Sequence, residues 1–329
     1  MKRAELDAAL EEQWELAGHL ASEGRHSEYF EVVQTLKREE PEVYAAGRTM
    51  FDQVAIAELM LADRRPEVAA WLEPPAEDPE ALASLLDLLL AVGCDTEASA
   101  LARRAGPAVK QSRRVDDPNF LVEWILFQEV EPFLDARDAS SAAVARIEAA
   151  MKKLSLRFER AFIQAELADA LGAFPDPAPL AKRQPQLAFA YHERLARHFL
   201  HWLKLEVGLS WASARFYASV AGALWVQHAL ERPKAPPFRL EPEVLDGYLE
   251  EQGAAGVRAL ALVQALWWQG PYLRKQGALD AKGVSGLRER LADAQERILE
   301  GLDVRDPGPR LLPDPARFRW LERRANAKA

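Results

Sequence analysis

His192, His198 and His201 are the first residues of this chain whose type and spacing could do chemistry. Imidazoles bind transition metals and move protons, and two ligands three apart can share one face of a helix. The angles oppose a shared ion. At about 100° per residue His192 and His201 point to opposite sides of a helix, and no cysteine or clear carboxylate pair completes a set. His192 instead falls on the apolar side, as a hydrogen-bonded core histidine. Glu23 to His26 has the Glu-x-x-His form of di-iron bundles, but it lies on a turn and has no second copy. Asp116 and Asp117, before Pro118, read as the capped start of a helix rather than as magnesium ligands. Glu129, Glu131, Asp135 and Asp138 make an acidic face at a helix end, exposed by default or open to a cation. No phosphate loop, dinucleotide fingerprint, His-Glu-x-x-His or Gly-x-Ser-x-Gly element is present. No cofactor, no metal and no catalytic residue is therefore expected, and a histidine or carboxylate enzyme site between helices stands as the third-ranked reading.

Basic residues supply the other candidates. Arg194, Arg197, His201 and Lys204 fall on one face of a helix, opposite Leu195, Phe199 and Leu203. Such a stripe can follow a phosphate backbone and release its counterions, or it can be an ordinary solvated face beside a core. Near the end of the chain Arg317, Arg319, Arg323 and Arg324 alternate with Phe318, Trp320 and Leu321. That pattern suits either an anionic partner or a helix docked by its apolar edge while its arginines stay wet.

The elements that must position these residues are helical. The 329 residues are 49% hydrophobic and 28% charged, enough for one large or two ordinary domains with buried cores. β-Branched residues are few against Ala, Leu, Glu and Arg, which predicts an all-α fold. The net charge of −9 is uneven. Residues 1–150 hold 15 basic and 30 acidic side chains and residues 151–329 hold 27 and 21, giving −15 and +6. Pro175, Pro177, Pro179 and Pro185 prevent a helix from crossing that segment, and two further proline clusters, at 233–242 and 307–315, interrupt the second half. The expected organisation is an acidic helical-repeat region over 1–174, a proline-rich linker over 175–186, a helical-bundle module over 187–304 and a basic tail helix within 305–329. Cys94 is the sole cysteine, the residues from Met1 to Asp7 carry no apolar leader, and the apolar runs are too interrupted to span a membrane. A cytoplasmic protein without membrane contact is expected.

Two family resemblances sharpen this outline. In the first half, an apolar helix repeatedly ends in a small or polar turn before a second helix that opens with an acidic residue. This occurs at Leu20–Tyr29, Leu61–Val68 and Leu90–Ala98, and more loosely around Asp138. The turns at 24, 63, 93 and 138 are 39, 30 and 45 residues apart, in the range of one helix pair per repeat. The stretch of about 5–170 resembles tetratricopeptide (TPR) repeats, although Trp14 and Trp71 are out of register with the family's aromatic positions. The alternative is an irregular helical bundle. In the second half, Phe199-Leu200-x-x-Leu203 leads to Gly208-Leu209-Ser210-x-x-Ser213-x-x-x-Tyr217, then to Leu240-x-Pro242-Glu243 and Tyr272-Leu273. Residues 187–290 resemble the helical SAM-like core-binding domain of tyrosine recombinases and phage integrases. Gly208 is placed to end one helix in a left-handed turn and Ser210 to cap the next. Only 39 residues follow Arg290, so the resemblance implies the clamp's binding role, toward DNA or protein, and not recombination.

The leading expectation is thus an irregular helix-hairpin repeat, a TPR-like solenoid, followed by a helical-bundle module. It would be a non-catalytic scaffold binding a protein partner through its N-terminal half. The alternative is a DNA-binding regulator that uses the C-terminal module and is modulated by its acidic half.

Overall fold

The computed structural model describes residues 3–22, 25–48, 51–52, 55–56, 59, 64–72, 79–91, 93–111, 119–182, 184–232, 235–251 and 257–301. It is all-helical, with no strand among these residues. None of its helices, among the described residues, is long and apolar enough to cross a membrane. The chain forms two compact units, one within Met1–Ala105 and one over Gly106–Gly301.

In the first unit, α1 (Arg3–Ser22), α2 (His26–Glu39) and α3 (Pro41–Ala46) pack together. The register of α2 explains its docking: Tyr29, Phe30, Val33 and Leu36 are buried at helical spacing on one face. Glu40 leaves helical geometry at φ −127° because Pro41 comes next, and Pro41 then opens α3 at a position that needs no amide donor. After a 3₁₀ turn (Arg65–Glu67) come α4 (Val68–Trp71), α5 (Pro79–Ala91) and α6 (Asp95–Gln111), the last of which belongs to the second unit from Gly106 on. The turn between α5 and α6 reverses through Gly93, at φ +75°, where the amide of Cys94 donates to the carbonyl of Leu89 (2.7 Å). The helix–turn–helix expected around Gly93, its second helix opening on Asp95, is therefore present. At the Leu61–Val68 copy, residues 60–63 lie outside the described ones, and residues 65–71 form only a 3₁₀ turn and a single α-helical turn.

The second unit contains α7 (Asn119–Asp135), α8 (Ser141–Lys153), α9 (Arg160–Leu171), a 3₁₀ turn (Ala178–Lys182), α10 (Pro185–Trp202) and α11 (Trp211–Glu231). It continues with α12 (Pro242–Glu251), α13 (Val257–Lys275) and α14 (Ala281–Gly301). The centre is α11, which packs on α7, α10, α12 and α13. Phe216, Tyr217, Val220, Ala221, Leu224 and Trp225 are all buried. A helix buried on most sides needs small residues where its neighbours come close. Gly222 is one of these, since a Cβ there would lie 3.0 Å from that of Ala196 on α10.

The proline-rich segment 175–186 lies inside this unit. It is the loop closing the packed pair α9 and α10, and the compact units divide at Ala105/Gly106. The link from α10 to α11 has the expected caps. A π-helical turn over Leu203–Val207 ends at Gly208, φ +82°, and the Ser210 hydroxyl accepts from the Ser213 amide (3.0 Å). The acidic pair Asp116–Asp117 and the tail 305–329, including Arg317, Arg319, Arg323 and Arg324, lie outside the described residues.

Candidate functional site

The site begins with the pattern of α9. Ile163, Leu167 and Ala170 face the core, while Phe162, Glu166 and Asp169 line the neighbouring stripe at i, i+4 and i+7. That stripe meets α10 and α11, so Glu166, whose side chain is only 2% exposed, enters the interior as an ion. Nε of Arg197 donates to one carboxylate oxygen at 2.7 Å, and an amino group of Arg215 donates to the other. Burial alone would raise the carboxyl's pKa; the guanidiniums of Arg215 and Arg197 outweigh it and hold Glu166 below the usual carboxylate range. Burial likewise works against the charge of Arg197, and Glu166 reverses it. Rings cover the cation faces: Arg197 lies 5.5 Å from the ring centre of Phe162 and Arg215 lies 4.7 Å from that of Phe127.

Beside this cluster lies a pocket of about 630 Å³, in the size range of small-molecule sites. Phe162, Leu200, Ala218, Gly222, Ala223 and Val226 supply much of its apolar lining. Phe189 and Leu230, which also line it, are large apolar side chains left about half exposed (49% and 51%). The polar side chains on its wall include Glu123, Glu166, Glu193, Arg197 and Arg215. Burial raises the Glu193 carboxyl against the opposing charge of Arg197, which is 3.8 Å away.

His192 also lines the pocket. Its imidazole packs edge-on to Tyr191 and Phe238 and parallel to Trp225. Burial and the nearby His228 push its pKa down to about 4, so the ring is neutral at pH 7. The expected core position holds, but Nδ1 is buried with no hydrogen-bond partner among the described residues. Four other groups on this unit are similarly placed among the described residues: the Tyr191 hydroxyl, Nε1 of Trp202, Nε2 of His228 and the side-chain nitrogen of Gln264.

The basic stripe is differently employed from the sequence expectation. Arg197 is bonded to Glu166 and also to Asp169 (3.3 Å), which takes Nε of Arg194 as well (3.1 Å). His201 stacks on Trp211 with its ring centre 6.0 Å away, and Lys204 lies 5.5 Å from the centre of the same indole. Two physical reasons separate this from a free phosphate-tracking face. A helical wheel of α10 alone cannot show that Glu166 and Asp169 on α9 stand opposite. The π-helical turn at Leu203 also changes the angular step before Lys204. Cations already paired with carboxylates have few counterions to release to a polyanion.

Other described candidates are engaged elsewhere. His198 shares a 2.8 Å hydrogen bond with the Tyr272 hydroxyl, and Asp135 accepts from the indole of Trp211 at 2.6 Å. Asp138 accepts from the amide of Ser140. Among the described residues no group of three or more His, Cys, Asp or Glu is arranged to hold an ion. Glu166 and Arg215, the centre of the site, do not stand out by spacing. The available signal is Glu166 and Asp169 on the inward side of an otherwise apolar helix, where an unpaired acid would be too costly to bury.

The first unit carries a second buried carboxylate. Asp52 accepts from the Tyr44 hydroxyl, from Nε1 of Trp71 (2.8 Å) and from Nε of Arg48 (3.0 Å). That unit's groove, about 500 Å³, lies along α1 and α2 and is lined by other residues, among them the ion-paired Arg25 and Glu28.

No protein-family model, curated protein or solved structure matches this chain.

Proposed function

We propose that this chain is a non-catalytic binding protein whose recognition site is the apolar pocket between α10 and α11. The observation that carries the reading is that the two buried titratable groups on the pocket wall, Glu166 and His192, are poorly suited to proton transfer. Glu166 is held ionised by two guanidiniums and cannot donate a proton near neutral pH, and His192, pushed down to about 4, is a weak base with a buried Nδ1. An apolar lining on rigid helices faces the cavity, a surface suited to holding a molecule rather than transforming it. The TPR-like arrangement of hairpins in the first half, with its own protein partner, belongs to the same proposal. Its support is the helix-turn-helix at Gly93 and again at residues 136–140. The core-binding resemblance is supported by the Gly208 and Ser210 caps, which are local features of one turn.

Titration with N-phenyl-1-naphthylamine, a neutral dye that brightens in apolar sites, tests the pocket. Saturable binding at one equivalent is expected. Ala223 is exposed on α11 and lines the pocket, so Ala223→Trp should fill the space without disturbing the core and abolish the signal. Undiminished binding by that variant, or no saturable binding by the unaltered chain, would refute the reading.

A further inference from the structure

We propose that the pocket's ligand is a monoanionic amphiphile, an apolar body ending in one carboxylate, with the carboxylate bound by Arg215. The inference rests on the pocket reading above and adds the chemical class of the ligand. It comes from how unequally the two guanidiniums are compensated. Arg197 has three carboxylates around it: Glu166 at 2.7 Å, Asp169 at 3.3 Å and Glu193 at 3.8 Å. Arg215 has a single ion-pair partner among the described residues, Glu166, and Arg197 already draws on that carboxylate. Only one amino group of Arg215 is hydrogen-bonded among the described residues. Guanidinium presents five donors in a planar fork that matches a carboxylate edge. Arg215 therefore keeps unused donors while lining the cavity.

The surroundings favour an anion at that point. Phe127 and Trp124 cover Arg215 with ring centres 4.7 and 6.0 Å away, and its side chain is 15% exposed. A guanidinium with unused donors in such a setting gains more from a carboxylate partner than a solvated one does. The ion pairs themselves balance, with Arg194, Arg197 and Arg215 against Glu166, Asp169 and Glu193, so the inequality lies in hydrogen-bond donors, which Arg215 keeps unused beside the cavity. The aliphatic and aromatic lining beyond Arg215 fixes the rest of the ligand as apolar, and the exposed Phe189 and Leu230 extend that surface outward. Glu193 argues for the opposite class, an amine, but it is paired to Arg197 and its side chain is 41% exposed, so an ammonium would give up water for a carboxylate already engaged.

Calorimetric titration of the full chain with decanoate, decanol and decylamine separates these cases without altering the protein. The expected order is decanoate tightest, by about tenfold or more over decanol, with decylamine weakest; charge-assisted hydrogen bonds of this kind are worth that factor. Arg215→Gln, checked for folding by circular dichroism, should remove the preference, so that decanoate and decanol bind alike. Equal binding of decanoate and decanol would overturn the anionic head while leaving the pocket standing. Tightest binding of decylamine would overturn it in favour of Glu193. If none of the three binds and the neutral dye also fails, the pocket reading itself falls.

Discussion

Asp52 in the first unit and Glu166 in the second are the buried carboxylates among the described residues, and each is solved in a different way. Asp52 is held by a phenol, an indole and one arginine, from residues 8, 19 and 4 positions away. Lys37 closes over the indole, 4.7 Å from its ring centre. Glu166 is held by two arginines, 31 and 49 positions away, on two other helices. Neutral donors satisfy an acid's lone pairs without bringing further charge, so the Asp52 cluster is local and closed. Two guanidiniums bring more donors than the Glu166 carboxylate can absorb, so the Glu166 cluster leaves donors over, and it does so beside an apolar cavity. A buried ion alone says little about function; the residue of charge and donors around it says more.

The sharpest way to break this comparison is to remove each acid. Glu166→Leu strands two buried guanidiniums and should cost about 3–5 kcal/mol. Asp52→Leu strands two neutral donors and Arg48, and should cost about 1–3 kcal/mol. Denaturant unfolding monitored by hydrogen exchange in each unit reads both; equal losses would mean the two clusters are energetically alike.

Acid sharpens the contrast next. The His192 pKa is about 4 in the fold against 6.5 in the unfolded chain. A depressed value means the unfolded chain takes up the proton first. Stability from this residue is complete above pH 6.5 and falls as pH drops toward 4, by about 3 kcal/mol in all. Burial lowers His198, His201 and His228 in the same direction. Exchange protection of α10 and α11 should decline over that window, and His192→Phe should flatten much of the decline. A profile unchanged by that substitution would locate the acid sensitivity elsewhere.

Two smaller effects test the scaffold around the pocket. Gly208→Ala puts a side chain at φ +82° and should cost about 1–2 kcal/mol, measured as a shift in the denaturation midpoint. Arg194→Ala removes an exposed arm of the ion-pair network, with a side chain 56% exposed, and should cost less than about 1 kcal/mol. A larger loss at Arg194 than at Gly208 would show that the network extends its strength to the surface.

Sequence alone is informative where structure is local. Helical composition, the breaks at Pro175–Pro185 and Pro233–Pro242, the reversal at Gly93 and the Gly208–Ser210 caps depend on residues a few positions apart, and all are present. The site depends on residues far apart. Arg197 reads as part of a solvated stripe because its partners lie on another helix, across a proline loop that reads as a linker. His192 is legible as a core residue, but not its lone Nδ1, because a missing partner is a property of the packed aromatic shell formed by Tyr191, Trp225 and Phe238. Arg215 stands within a largely buried helix, and a single cation in an apolar run carries no spacing to recognise.

Hydrogen exchange of the full chain with and without saturating N-phenyl-1-naphthylamine tests the central claim most directly. Slowing centred on peptides from Pro185–Trp202 and Trp211–Glu231, the helices that supply most of the pocket's lining, is the expected result. Slowing centred on Arg3–Glu39 instead, or no slowing anywhere at saturation, would contradict it.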